Sequence, residues 1–252
     1  MKKIALITGA TAGIGEATAL LLAENSFDLI ITGRRMERLT MLAESIRNQS
    51  DSLVKTLTFD IRKQDQVKDA ISSLDDEWIN IDVLINNAGL ASGFGHIDEG
   101  NLEDWETMID TNIKGLLYMT RLISPYMVER ERGHIINISS VAGKQVYENG
   151  NVYCATKHAV DALSKAMRID LLKHGIKVTN IAPGMVETEF SLVRFKGDQK
   201  KAKFVYEGFQ PLKAEDIAET ILFALTRPPH VNLNDLLIMP TAQAAVGILN
   251  KK

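Results

Sequence analysis

Short, nearly uninterrupted apolar runs recur along this chain, and between them apolar residues return every three or four positions. The runs Ile4–Thr8, Leu29–Thr32, Val54–Phe59, Val83–Ile85, Ile135–Ser139, Val178–Ile181 and Leu236–Met239 predict strands. A strand with one wet face would alternate apolar and polar residues; these do not, so they read as strands buried on both faces. The stretches between them predict helices over Glu16–Glu24, Met36–Asn48, Gln64–Asp76, Leu102–Glu129, Val152–His174 and Ala214–Thr226. Strands alternating with helices imply right-handed crossovers. The expected fold class is therefore α/β: a Rossmann-type, doubly wound parallel sheet of about seven strands with helices on both faces. The 252 residues show no internal repeat and no linker rich in Pro, Gly or Ser, so a single domain over 1–252 is expected. Two segments break the rhythm, Ala91–Asn101 and Glu187–Gln210. Both follow strand ends, where such sheets bind ligands, and the region 187–210 is expected to act as a substrate lid.

Composition narrows the function class. The chain is 45% hydrophobic and 24% charged with a net charge of −3, and its charges are interspersed. That gives no basic field for nucleic acid. The run Lys196–Lys203, with four lysines and one aspartate, reads as a solvated face. Cys154 is the only cysteine, and His96, His134, His158, His174 and His230 lack metal-ligand spacing, so no metal is expected. The apolar run after Lys3 is too short for a signal-peptide core and no stretch could span a bilayer. A cytoplasmic location without membrane partners is the expectation.

The first predicted strand runs into Thr8-Gly9-Ala10-Thr11-Ala12-Gly13-Ile14-Gly15, and a helix follows at once. Gly9, Gly13 and Gly15 suit a tight turn, close backbone approach to a pyrophosphate and close helix–sheet packing. Thr11, Ala12 and Ile14 lie where the helix start presents N–H groups to an anion. The second strand ends in Thr32-Gly33-Arg34-Arg35. An acid there would bind the 2′-hydroxyl of NAD; the two guanidiniums instead favour the 2′-phosphate of NADP. Asp60, with Ile61 beside it, is placed to meet an adenine base, although Asp60 could equally cap the next helix. Asn87, Ala88 and Gly89, in the run Asn86-Asn87-Ala88-Gly89, would let the backbone pass close under a ribose, or form an ordinary turn.

Tyr153 and Lys157 lie four apart on a predicted helix and share a face. A phenol titrates near 10, and a neighbouring ammonium would lower that value toward use as an acid/base. Ser139 and Ser140 end the fifth predicted strand. A hydroxyl there can donate to a carbonyl oxygen as charge develops on it, and alternation lets only one of the two serve.

In these motifs the chain resembles the short-chain dehydrogenase/reductase family over essentially its whole length. The resemblance rests on Thr8–Gly15, Asn86–Gly89, Asn112, Ser140, the Tyr153–Lys157 pair and Pro183-Gly184. It implies an NADP-dependent oxidoreductase acting on CH–OH groups. Tyr153 would be the acid/base, Ser140 rather than Ser139 the carbonyl donor, and Lys157 the group that tunes the phenol and holds the nicotinamide ribose. Asn112 would anchor a relay water, while Pro183, Gly184, Val186 and Thr188 would frame the nicotinamide carboxamide. Within the family the chain is similar to NADP-dependent 3-hydroxy acid dehydrogenases, in Asp104–Asn112, Gly150–Tyr153, Val193–Asp198 and Met239-Pro240. That similarity implies a small 3-hydroxy acid such as serine, L-allo-threonine or 3-hydroxypropionate as the small-molecule substrate. Arg194 is the candidate partner for its carboxylate. The alternatives are a 3-ketoacyl-type or broad carbonyl reductase and a non-catalytic NADP-binding regulator. The resemblance also implies a homotetramer, paired through the long helices.

Overall fold

The computed structural model describes residues 2–252. Seven strands form one parallel sheet: β1 (Lys3–Ile7), β2 (Phe27–Gly33), β3 (Val54–Thr58), β4 (Val83–Asn86), β5 (His134–Ile138), β6 (Lys177–Pro183) and β7 (Asp235–Ile238). Their order is β3-β2-β1-β4-β5-β6-β7, so the direction of winding reverses between β1 and β4. This is the doubly wound sheet expected from the sequence, and the crevice at its reversal point is where such folds hold ligands.

Successive strand residues face opposite ways, and each side has its own core. Ile7, Leu29, Ile31 and Ile85 pack with Leu22, Leu39 and Ile221, from α1 (Gly13–Glu24), α2 (Met36–Gln49) and α9 (Ala214–Leu225). Leu6, Ile30 and Leu84 pack on the other side with Val67 of α3 (Gln64–Ser72), Met119 and Ile123 of α5 (Leu116–Glu129) and Val160 of α6 (Asn151–Asp170). Both neighbours in each pair are apolar because both faces are covered, which is why the strands read as continuous runs.

Three helical expectations need correction. The stretch Leu102–Glu129 is not one regular helix: α4 (Leu102–Ile109) passes through a π-helical turn, Asp110–Gly115, into α5. Within the turn the Asn112 side chain bonds outside the helix, and Gly115 lets Ile61 pack close, where a Cβ would come within 2.9 Å of it. Such turns carry one residue beyond the α-helical repeat and often mark functional positions. The helix from Gln64 ends at Ser72 rather than Asp76, since the main chain of Trp78 and Ile79 bonds to Asp75 in a separate turn. The helix from Asn151 ends at Asp170, and Leu172–His174 forms a 3₁₀ turn closed by Gly175 at φ 68°.

Region 187–210 folds into two short helices, α7 (Phe190–Arg194) and α8 (Gln199–Phe204). It is tied to the loop after β4 by Gly93 N–H bonding the Arg194 carbonyl at 3.1 Å, and to α4 by the Lys196–Asp104 ion pair at 2.9 Å. The chain ends in a small hairpin, β8 (Gln243–Ala245) and β9 (Ile248–Leu249). Among the described residues, no helix is long and apolar enough to cross a membrane.

Candidate active site

The carboxyl ends of the strands open into one cleft of about 670 Å³. One end is lined by Arg34, Arg35, Asp60 and Ile61, the middle by Gly9, Thr11–Ile14 and Asn87–Gly89, and the far end by Ser140, Tyr153, Lys157, Pro183, Gly184, Val186, Thr188 and Arg194. Residues from six strand ends thus meet because the sheet is parallel and all its carboxyl ends lie on one edge.

The middle is built from backbone. Gly9 and Gly13 have φ of 67° and 56°, which strain any residue with a Cβ. A Cβ at Gly9 would also fall 2.9 Å from the Ala88 Cα. No side chain caps α1, whose first residue is Gly13, so its leading N–H groups and positive dipole end are directed at the cleft. This cradle fits a pyrophosphate. Gly15 is not part of the lining: a Cβ there would meet the Asn87 Nδ2 and the Gly9 carbonyl at 2.5 Å, so this glycine packs α1 on the loop. Asn87 Nδ2 in turn donates to the Thr8 carbonyl at 2.8 Å and closes the cradle from the β4 side.

The two arginines after β2 differ. Arg34 is exposed along the cleft and makes no hydrogen bond or ion pair among the described residues. Arg35 is engaged, bonding the Thr11 hydroxyl at 2.8 Å and the Glu189 carboxylate at 3.0 Å. The sequence suggested a matched pair; the structure leaves one guanidinium available to an incoming anion. Asp60 does not cap α3, whose N-cap is Lys63. Its carboxylate accepts from Arg62 at 2.6 Å, and that bond holds it below the usual carboxylate range.

At the far end, Tyr153 and Lys157 are buried on one face of α6, and Ser140 follows β5. The Ser139 hydroxyl is turned away and donates to the Lys157 carbonyl at 3.1 Å. Ser140 Oγ accepts from Ala142 N–H at 3.1 Å and lies near enough to the Tyr153 phenol to favour its ionised form. The net effect on the phenol is nevertheless upward. Burial pushes Tyr153 above its ordinary value, the neighbouring Tyr147 adds to this, and Ser140 and Arg194 only partly offset it. Desolvation acts on both groups, and it also depresses the Lys157 ammonium to about 8. Lys157 Nζ donates to the Ile138 carbonyl at 2.9 Å and sits 6.0 Å from the Tyr153 ring centre. Asn112 is buried outside the cleft lining. Its amide donates to the Leu90 carbonyl at 2.8 Å and to Thr156 Oγ1 at 3.0 Å, while its Oδ1 accepts Leu90 N–H at 2.8 Å.

Arg194 faces this cluster from α7 inside an aromatic cage. Its guanidinium carbon lies 4.8 Å from the Phe94 ring centre, 5.4 Å from Tyr147 and 5.7 Å from Tyr153. Nη1 donates to the Tyr147 hydroxyl at 2.8 Å, and Nε is buried without a partner. Phe190 closes the cage on the other side of Tyr153, with ring centres 5.6 Å apart. Phe94, Tyr147, Phe190 and the C-terminal hairpin were not anticipated, because they come from separate loops with no shared spacing. Arg38 and Glu189 were also missed. Arg38 lies three residues after Arg35 on α2, a helical spacing that could have disclosed it.

The comparisons agree with this geometry. Residues 3–198 match the family model described as short chain dehydrogenase. The chain is 47% identical over 246 residues to the NADP-dependent 3-hydroxy acid dehydrogenase YdfG of Escherichia coli strain K12, covering 97% of this chain and 98% of the relative. It is 45% identical over 245 residues to sulfoacetaldehyde reductase 2 of Chromohalobacter salexigens, covering 97% and 96% respectively. Among solved structures, the closed form of serine dehydrogenase complexed with NADP+ superposes with a TM-score of 0.92 at 46% identity, over 99% of both chains. With the phosphate cradle, the Ser–Tyr–Lys cluster and these matches together, the chain belongs to the short-chain dehydrogenase family and is an oxidoreductase.

Proposed function

We propose that this protein is an NADP-dependent dehydrogenase/reductase that interconverts a small 3-hydroxy acid and its 3-oxo acid. The observation that carries the substrate class is Arg194, a cation held by aromatic rings beside the Tyr153 phenol. A small acid whose carboxylate meets that guanidinium would bring its oxidisable carbon to Tyr153 and Ser140. The cofactor reading is supported by the glycine cradle, by Arg34, which suits a 2′-phosphate, and by the NADP-dependent relatives. Bound NADP(H) supplies or accepts the hydride at the substrate carbon.

The chain's own residues carry the proton. Burial keeps the Tyr153 phenol protonated at neutral pH, so in reduction it donates its proton to the carbonyl oxygen. Ser140 Oγ donates a hydrogen bond to the same oxygen and stabilises its developing charge. Lys157 would hold the nicotinamide ribose, and its ammonium favours the phenolate left after proton transfer. The Asn112 side chain is fully engaged, so its main-chain carbonyl in the π-helical turn is the group to hold a relay water. With the dinucleotide bound, Gly9, Thr11, Ala12, Gly13 and Ile14 would hold the pyrophosphate, Asp60 and Ile61 the adenine, Asn87–Gly89 the ribose, and Pro183, Gly184, Val186 and Thr188 the nicotinamide carboxamide.

Residues 187–210 serve as the lid over the substrate in this reading. Homotetramer assembly through the long helices and a cytoplasmic location complete the proposal. Assembly is supported by the exposed apolar side chains of Leu102, Leu117 and Tyr126 on the α4–α5 segment and Ile169 on α6.

The test is a kinetic panel. Purified protein should oxidise NADPH far faster than NADH with malonic semialdehyde, and much faster than with an uncharged aldehyde of equal length. Preference for NADH, or indifference to the carboxylate, would refute the assignment. Sulfoacetaldehyde belongs in the panel because a guanidinium also binds a sulfonate, and a higher kcat/KM on it would move the substrate to that anion.

A further inference from the structure

Glu189, at the start of α7, is bound by side chains from the opposite half of the sheet. Arg35 Nη1 donates to its Oε2 at 3.0 Å, and Arg38 Nη1 donates to its Oε1 at 2.7 Å. Both arginines also hold the phosphate loop: Arg35 Nε and Nη2 reach Thr11 Oγ1 at 3.2 and 2.8 Å, and Arg38 Nη1 reaches the Thr11 carbonyl at 3.4 Å. Arg35 follows β2 and Glu189 follows β6, strands separated in the sheet by β1, β4 and β5. At about 4.8 Å per strand step those ends are roughly 19 Å apart in the sheet. The ion pairs therefore close a ring of chain over the strand ends that line the cleft. One residue before Glu189, Thr188 approaches the phosphate loop so closely that a Cβ on Gly13 would lie 3.1 Å from its Cγ2.

The fold has little need of this link. The side chains of Arg35, Arg38 and Glu189 are 43%, 45% and 42% exposed, and exposed ion pairs contribute weakly to stability. Two guanidiniums against one carboxylate leave positive charge beside the cradle, so the link does not repel an entering anion. Arg34 takes no part in it.

We propose that Glu189, with Arg35 and Arg38, is a clasp that retains the dinucleotide, making Glu189 a positioning residue that slows cofactor release rather than a catalytic one. The inference rests on the dinucleotide-binding reading above. A weak, solvent-exposed pair suits the task, because it must open on every turnover.

The test is stopped-flow displacement of NADPH by excess NADP+, read by nucleotide fluorescence on wild-type protein, Glu189→Gln, Arg38→Met and the double variant. Each single substitution should speed NADPH release by roughly three- to tenfold. The double variant should release no faster than Glu189→Gln, because that substitution already removes both ion pairs, including the one that Arg38→Met breaks. Release from the wild type should accelerate with added salt, and this acceleration should be blunted in Glu189→Gln. Unchanged release in Glu189→Gln would overturn the clasp while leaving NADPH binding intact. Slower release or tighter binding would overturn it in favour of a carboxylate that competes with the cofactor. Failure of the wild type to bind NADPH would overturn the cofactor reading itself.

Discussion

The two ends of the cleft are made of different material. The nucleotide half centres on main chain: two glycines at positive φ, the uncapped start of α1 and the close approach of Ala88 shape its cradle, with Arg34, Arg35 and Asp60 beyond it. The substrate end is mostly side chain: Phe94 comes from the loop after β4, Tyr147 from the loop after β5, Phe190 and Arg194 from α7, and Tyr153 from α6. A backbone cradle binds whatever carries a pyrophosphate and says nothing about the reaction. A cage of side chains sets the charge and size of what fits beside the Tyr153 phenol, and in the proposed reading it selects the substrate. In this molecule the general and the particular are divided between two ends of one cavity.

That division can be challenged by mutation. The largest effect is expected at the phenol. Tyr153→Phe should lower kcat by about 10²- to 10⁴-fold while NADPH still quenches or shifts its fluorescence on binding. Near-normal turnover would remove Tyr153 from the chemistry, and loss of NADPH binding would show that the two ends are not separable. Arg194→Met comes next. It should cost about 10- to 150-fold in kcat/KM on the free acid, the range for a charged hydrogen bond, and far less on the methyl ester. Equal losses on acid and ester would reduce Arg194 to a packing role. The smallest effect belongs to the nucleotide end. Arg34→Ala should shrink the ratio of kcat/KM for NADPH over NADH by about three- to tenfold, since the side chain is exposed and its charge is screened. A ratio that stays constant would transfer cofactor discrimination to other groups.

Much of the nucleotide end was legible beforehand, for a local reason. Thr8–Gly15 is one unbroken stretch whose glycine spacing reflects φ angles and contacts made within a few residues. The strands were equally readable: the inner ones are buried on both faces and mostly apolar, and the partly exposed edge strands β3 and β7 still carry enough apolar residues to stand out. Tyr153 and Lys157 could be paired from helical spacing alone, and Ser140 was separated from Ser139 by the resemblance rather than by the residues. The desolvation of the phenol was not legible: a neighbouring ammonium is visible in a sequence, but burial depends on everything packed around both groups. The Arg35–Glu189 pair was hidden for a related reason, since the carboxylate lies 154 residues away.

The order of residues by itself determined the alternation of strands and helices, the backbone cradle after β1 and the spacing of the phenol and amine on α6. These depend on local periodicity and on dihedral angles that few residues tolerate. Only the tertiary structure decided which guanidinium faces the cleft, which rings enclose Arg194, how Asn112 is held and how far burial shifts Tyr153 and Lys157. Each of these arises where distant segments come together, and their electrostatics depend on the water that such packing excludes.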